Sequence, residues 1–518
     1  MANDLTFFHL FLYYKKMPTL EGKKQNMKIF RIKYLLFLST ILLIISIFLG
    51  HTQSVRAEKL FYAVEINGVL SGYKELDLNY IIQDSRNILL LEVKTKLKLS
   101  IESEGFDLGM NSIFYLDPKT GNFLIHENEI KIGNSTIYGK MVKDEDDMRI
   151  SSKSNEEIGV VQLSPNTILD NLYFYPFLIR DFVERKEEEK TYEVFNVVDG
   201  KINKVIYIKK GREDLELSGK TYQTLVLDEL NQDTGLKKTR WVDINNYLAI
   251  KTIIQDRVEY LTDPSVVDEI GRANLDESLF AKVNIFIEDF RSISYLKVKA
   301  NIEVTGELVT SKSLNVTGQK FLGKVENNLI EGIFEIRHKR YNGDNPPPFP
   351  PDFNKNGFLK TYLEPERFIE SDDSVLTRKA MDITRDSKDS WEAGGRLSRW
   401  VAENIRSETP GGISASDVFR MRKGDCGGKS KLLIAFCRAV GIPARLVTGC
   451  VYTSYLGGGF GQHVWVELYM GEAGWIPLDV TLGEIDYLDS GHIRLGSRTT
   501  FYPQKMEIID YEIISERL

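Results

Sequence analysis

Between residues 60 and 254 the chain alternates apolar and polar residues in short runs separated by tight-turn dipeptides. Asn67-Gly68 divides 61–66 from 69–76, and Asp199-Gly200 divides 192–198 from 202–208. Such pairs accept positive φ and close hairpins whose twist suits the flanking strands. Runs at 221–230, 237–244 and 247–254, with turns at 231–235 and 245–246, predict a three-strand meander. Loose alternation is the pattern of an antiparallel sheet with one face in a core. One stretch differs: Ser164-Pro165 opens an apolar-periodic run to Phe182, which predicts a helix. The region 58–290 therefore reads as one β-rich domain. It contains no cluster of His, Cys or close carboxylates that marks a site.

A second, small β unit is expected over 291–342. It is followed by Asn345-Pro-Pro-Pro-Phe-Pro-Pro-Asp352, with five prolines in eight residues. Polyproline segments are stiff and unable to join a sheet interior, so 343–355 reads as a spacer between domains. After it the period changes. Residues 374–385 and 388–405 repeat apolar positions at helical spacing, with Trp391, Leu397, Val401 and Ile405 near one face. Ser414 and Asp417 form a weak capping box for a short helix ending near Arg422. Residues 426–440 predict a helix stopped by Gly441 and Pro443. Residues 445–452, 462–469 and 474–477 predict strands. Helices followed by strands, without regular β-α-β alternation, predict an α+β domain over 356–518.

Charge is uneven. The 518 residues carry a formal charge of −7. Residues 1–57 hold eight Lys/Arg and two acids, so the remainder has 59 basic and 72 acidic residues and stands at −13. An acidic body argues against nucleic acid as a partner, because phosphate contacts need basic patches. The N-terminal basic residues precede an apolar or small run from Tyr34 to Gly50, and Val55-Arg56-Ala57 follows as a small-residue cleavage site. This is the pattern of a secretory signal. An uncleaved membrane anchor over the same residues is the alternative, although the run is slightly short of the roughly 20 residues a span needs. Met27 is an alternative start. Either way the expected location of the body is extracytoplasmic, with residues 34–50 as the route to any membrane association.

Three cysteines, at 426, 437 and 450, are all that the chain contains. Cys426 falls at the first turn of a predicted helix. Free N–H groups and the helix dipole favour an anion there, so a thiol in that position carries more thiolate. The same N–H groups can hold an oxyanion, and Gly427-Gly428 leaves room for a substrate. His463 lies 37 residues on, at the start of a strand that follows the loop Gly457-Gly-Gly-Phe-Gly461. Asp479 lies 16 residues further on, in Gly474-Trp-Ile-Pro-Leu-Asp479. Adjacent antiparallel strands can bring a His beside an Asp. The order Cys, His, Asp suits covalent catalysis, with a thiolate attacking a carbonyl, an imidazole moving the proton and a carboxylate orienting the imidazole. Read singly, each residue has an ordinary structural explanation: a core thiol, a satisfied histidine, a turn aspartate.

Arg422-Lys-Gly-Asp-Cys-Gly-Gly-Lys-Ser-Lys-Leu-Leu433, continuing to Cys437-Arg-Ala-Val-Gly-Ile-Pro-Ala-Arg445, resembles the nucleophile helix of the transglutaminase-like superfamily. His463-Val-Trp-Val-Glu-Leu-Tyr469 resembles its histidine strand, and Gly474-Trp-Ile-Pro-Leu-Asp479 its aspartate strand. The resemblance covers about 358–494. It implies a papain-like core, a helix packed on an antiparallel sheet, with Cys426 as nucleophile, His463 as base and acid, and Asp479 as orienting group. Two residues depart from the family pattern: Val464 stands where Ala is usual, and Val480 where Pro is usual. His492 falls where relatives often carry a His, but a structural or surface role is the simpler reading of it. The preceding β-rich region is similar in pattern to the envelope β-domains attached to some bacterial members.

The expected function is that of an exported thiol enzyme acting on an amide or peptide carbonyl through a thioester. With water as acceptor it is a peptidase or amidase. With an amine it is a transglutaminase-type acyltransferase. Its expected partner is a protein or peptide substrate. The competing reading is a non-enzymatic envelope binding or scaffolding protein with a degenerate transglutaminase-like domain. No cofactor is expected: beyond residue 57 only His126, His338, His463 and His492 remain, with no Cys-x-x-Cys or His-x-x-x-His pair. Cys437 lies three helical turns from Cys426, roughly 16 Å away and too far for a disulfide. Burial in a core is its simplest role, while pairing with Cys450 stays open in an oxidising compartment.

Overall fold

The computed structural model describes residues 59–514 apart from 84–85, 134, 152–156, 170–175, 199, 354–356 and 410. The expected signal or anchor at 1–57 lies outside these residues. Among the described residues no helix is long and apolar enough to cross a membrane.

The first half is a continuous antiparallel sheet. Its strands are β1 (Lys59–Ile66), β2 (Val69–Gln83), β3 (Arg86–Ile101), β4 (Glu104–Leu116), β5 (Phe123–Ile132), β6 (Ser135–Asp144), β7 (Asp147–Ser151), β8 (Glu157–Gln162), β9 (Glu189–Asn196), β10 (Lys201–Leu217), β11 (Lys220–Asn231), β12 (Lys237–Asp243), β13 (Ala249–Ile254) and β14 (Arg257–Thr262). The order is β8 to β1, then β14 back to β9, so the sheet's two end strands, β8 and β9, are consecutive in the chain. The Asn67-Gly68 turn sits at positive φ at both residues, as the sequence predicts. Phe195 and Val197 share a buried cluster with Leu89, Leu91, Phe114 and Phe123, which curls β9 over the inner face of β3–β5.

The predicted helix at 164–182 is shorter than expected. Helix α1 covers Pro176–Glu184 only. Residues 164–167 instead form a turn, with Thr167 N donating to Ser164 O at 3.0 Å, and 168–169 bridge β5 and β9: Leu169 O accepts from Phe123 N at 3.1 Å, and Ile168 O accepts from Phe195 N at 2.9 Å. Backbone groups in a core must be paired, and here strand partners on both sides outbid the helix.

The second half has two sheets that share a core. The first contains β15 (Phe280–Lys282), β19 (Ala444–Thr453), β20 (Gly459–Tyr469), β21 (Trp475–Leu478) and β22 (His492–Gly496), in the order β15-β20-β19-β22, with β21 on β20. The second contains β16 (Ile293–Thr305), β17 (Gln319–Glu326), β18 (Leu329–Ile336) and β23 (Thr500–Ile513), in the order β17-β18-β16-β23. This corrects the separate unit expected over 291–342. Its strand β16 pairs along its length with β23 at the far end of the chain, and Leu296, Val298 and Phe334 pack with Cys450, Tyr452 and Ile493 of the other sheet.

Four helices cover the opposite face: α2 (Ser374–Thr384), α3 (Ser390–Asn404), α4 (Ala415–Met421) and α5 (Cys426–Ala439). Leu433, Phe436 and Cys437 of α5 pack against Val466 and Leu468 of β20, with Leu397 and Val401 of α3 on the other side. The proline run is not a free spacer. Ser390 N and Oγ donate to Pro347 O and Pro348 O at 2.9 Å each, and Phe349 packs into the helical core. The prolines are used as a rigid strap across α3 rather than as a spacer. Cys437 and Cys450 are both free and buried, the first in the helical core and the second in the inter-sheet core. A sheet therefore lies between them, which closes the question of their pairing, and burial raises both thiols.

Candidate active site

The nucleophile turn is shaped by its neighbours. Arg422 closes α4 in the left-handed region at φ 57°. The chain then runs extended through Lys423-Gly424, paired with Arg406-Ser407. Asp425 caps α5, its Oδ1 accepting from Gly428 N at 2.7 Å. Cys426 is thus the first residue of α5, where backbone N–H groups have no partner within the helix. The Gly411–Gly412 loop closes on this turn because it lacks side chains. A Cβ on Gly428 would stand 2.6 Å from Gly412 O, and one on Gly411 would stand 2.4 Å from Gly424 Cα. Gly428→Ala is therefore expected to push the loop away and to lower stability by about 1–3 kcal/mol, the usual overpacking cost. Denaturant unfolding beside Cys426 alkylation rates measures both effects.

His463 is on β20, opposite Gly449 of β19. β21 pairs antiparallel with β20 and ends at Leu478, opposite Val466, so Asp479 emerges beside the histidine. Nε2 of His463 lies 2.5 Å from Asp479 Oδ2. The other carboxylate oxygen, Oδ1, accepts from Thr481 N at 2.7 Å and Leu482 N at 3.2 Å, which fixes its rotamer. Cys426 and His463 line one pocket of about 340 Å³, walled by Leu446, Val464, Arg498 and Phe501. All three residues singled out from the sequence therefore meet.

The structure brings to the site a histidine for which a structural or surface role was the simpler reading of the sequence. His492, fully buried on β22, places Nε2 3.3 Å from the same Asp479 Oδ2. Its Nδ1 lies 3.2 Å from Asp489 O and 3.3 Å from Asp489 Oδ1. Arg291 donates to Asp489 Oδ2 at 2.5 Å and to Glu484 at 3.4 Å. A second histidine 13 residues after Asp479, in a body with four histidines, was the available signal.

Burial opposes charge on His463, but the Asp479 carboxylate, with a contribution from Cys426, outweighs it and pushes the pKa up to about 10. Burial likewise opposes charge on His492, and Asp489 and Asp479 push it up to about 9. Burial would raise Asp479; His463 and His492 instead hold it well below the usual carboxylate range. Burial raises Glu484 to about 8, against the pull of His492. Elsewhere burial lowers His126 to about 3, and burial with the charge of His492 lowers His338 to about 4.

These shifts set the pH dependence of stability. His463 and His492 hold protons more tightly when folded, so their contribution is complete below about 6.5 and is lost as pH rises through about 9 and about 10. The contribution of Glu484, also raised, is complete below about 4.3 and is lost as pH rises through about 8. His126 and His338 act in the other direction, because below about 6.5 the unfolded chain takes up protons that the folded one refuses. The contribution of depressed Asp479 is present above about 3.9 and lost below it. Thermal unfolding across pH 4–10 is expected to show a maximum near neutrality with a fall on both sides.

Two groups of side chains bring metal-type donors within 4.8 Å of one another: His463, Asp479 and His492, and Glu484, Asp489 and His492. In the first, the imidazole and carboxylate atoms already bond each other directly. In the second, the Arg291 guanidinium fills the position of a cation. Neither arrangement fits an added ion.

Residues 377–480, from α2 to just past Asp479, match the family model described as the transglutaminase-like superfamily. This segment is a transglutaminase-like domain. Solved structures with some likeness include a proposed cysteine protease from Cytophaga hutchinsonii, 16% identical, covering 43% of this chain and 91% of that one at a TM-score of 0.32. A β-barrel-like protein of unknown function from Brucella abortus is 8% identical, covering 39% of this chain and 94% of that one at 0.31. A proposed protease from Parabacteroides distasonis is 12% identical, covering 80% and 70% at 0.19. A search of curated proteins gives no match. The transglutaminase-like segment holds Cys426, His463 and Asp479, while His492 lies beyond its matched end.

Proposed function

We propose that the transglutaminase-like domain is a thiol amidase, with Cys426 as nucleophile, His463 as general base and acid, and Asp479 as the group that orients and charges His463. With its proton already held on His463, the Cys426 thiolate bonds to an amide carbonyl carbon, and the carbonyl electron pair moves to oxygen. The oxyanion is held by N–H groups at the first turn of α5. His463 then returns the proton to the leaving amine, the C–N bond breaks and a thioester remains. Water, deprotonated by the same imidazole, attacks the thioester and frees the acid and the thiol. An amine in place of water gives acyl transfer. Hydrolysis is the form we favour.

The observation that carries this reading is the 2.5 Å contact between buried Asp479 and His463, which lines one pocket with Cys426. The packing of α5 on β19 and β20 supports the papain-like description. We also propose that the enzyme acts outside the cytoplasm, either released or held by residues 34–50. The support is the basic, then apolar, then small-residue order of residues 1–57.

Intact-mass analysis during turnover of a mixed peptide pool tests the chemistry. The expected result is an acyl adduct on Cys426 that hydroxylamine removes. Peptide turnover that persists after Cys426→Ser would contradict it.

A further inference from the structure

Both ring nitrogens of His492 face acceptors: Nε2 faces Asp479 Oδ2, and Nδ1 faces the backbone and side-chain oxygens of Asp489. A neutral imidazole can donate from only one nitrogen, so this setting is satisfied in full only by the doubly protonated ring. The ring is fully buried, its edge meets Trp465 at 5.2 Å between centroids, and its centroid is 5.9 Å from that of His463. A buried cation needs paired anions to remain charged. Asp479 and Asp489 provide them, and Arg291 balances Asp489 from the far side. His338 is the other titratable group against it, and burial keeps that ring neutral.

We propose that His492 is a positioning residue: a permanent imidazolium that shares Asp479 Oδ2 with His463, clamps the carboxylate in place and restrains the proton affinity of the Cys426–His463 pair. The proposal rests on the thiol-enzyme reading above. Its physical content has two parts. The hydrogen bond from His492, with those from Thr481 N and Leu482 N, leaves Asp479 a single orientation. The charge acts on the reacting pair: a cation this close makes a proton on His463 or on the Cys426 sulfur less favourable. The raised pKa of His492, about 9, agrees with the geometry. Without this cation, Asp479 alone would make His463 so basic that it would release its proton reluctantly to the leaving amine.

The test reads the pH at which Cys426 becomes reactive to iodoacetamide, which needs no knowledge of the substrate. Cys437 and Cys450 are buried, so labelling of the folded full chain reports Cys426. His492→Gln keeps a donor close to Asp479 but removes the charge. Its onset is expected to move to higher pH by about one to two units, the effect of a unit charge at this distance in a partly screened site. His492→Leu, which also removes the donor, is expected to lower the plateau rate as well. If His492→Gln keeps the wild-type onset while His463→Asn is much slower than wild type, the triad stands and His492 is packing only. If the wild type is no faster than His463→Asn, the triad reading falls and this proposal with it. Nitrogen-15 NMR of labelled histidines tests the same point without a variant. His492 is expected to show two protonated ring nitrogens at pH 7, and a single neutral tautomer there would overturn the proposal.

Discussion

Cys426→Ala and His463→Ala are each expected to cut amide turnover by about 10⁴-fold or more, and the double variant is expected to lose little further. The reason is that the two groups act as one. A thiol without an acceptor for its proton stays a thiol, and an imidazole without a nucleophile has nothing to activate. The loss should appear in kcat and in kcat/KM together, because neither side chain provides much of the 340 Å³ pocket that would hold the substrate. Folding should be kept in Cys426→Ala, since Cys426 is only partly buried and the change removes a single sulfur atom. A rate series on any cleaved peptide, with unfolding curves as control, checks this. Additive losses would mean that the two residues do not share a step.

Arg291→Met is expected to be the most costly single change outside the hydrophobic cores, at about 3–5 kcal/mol. Arg291 reaches the site from the segment before β16, and its partner Asp489 is fully buried. Removing the guanidinium leaves that carboxylate in the interior without its cation and frees Tyr452 O, which accepts from Arg291 at 2.6 Å. His492 then carries Asp489 and Glu484 alone. Part of the loss should be recovered in Arg291→Met with Asp489→Asn, because the penalty lies mainly in the unpaired charge. A coupling of about 1 kcal/mol or more in the double-mutant cycle is the expected result. Guanidinium unfolding midpoints provide the four corners. Additivity would show that the pair is screened by solvent.

What could be read from the sequence follows chain distance. Cys426, His463 and Asp479 lie within 54 positions, in three motifs that together resemble one family, and that resemblance rather than spacing alone placed them together. Ser414 as the cap of α4 and Asn67-Gly68 as a turn were equally legible, because both are decided by a few consecutive residues. The failures are long-range. Arg291 and Asp489 are 198 positions apart, and no local pattern links them. The pairing of β16 with β23 joins residues near 300 to residues near 505, which turned an expected separate unit into part of the half that carries Cys426. Residues 164–169 had helical periodicity, but a turn closed 164–167 and strand partners on both sides claimed the backbone of 168–169. The proline run looked like a spacer because proline avoids sheet and helix interiors. What the sequence did not show was a helix for it to lie on, capped by Asp389 and bonded through Ser390.

The reactivity of Cys426 in the resting enzyme tests the central claim most directly. The rate of iodoacetamide alkylation at pH 5.5 is compared between the wild type and His463→Asn, with the modified peptide identified as the one containing Cys426. A thiolate held by the His463–Asp479 pair predicts a wild-type rate at least about 30-fold above the variant, since an ordinary thiol is almost wholly protonated at that pH. Equal rates would contradict the account, because they would mean that His463 does nothing for the sulfur.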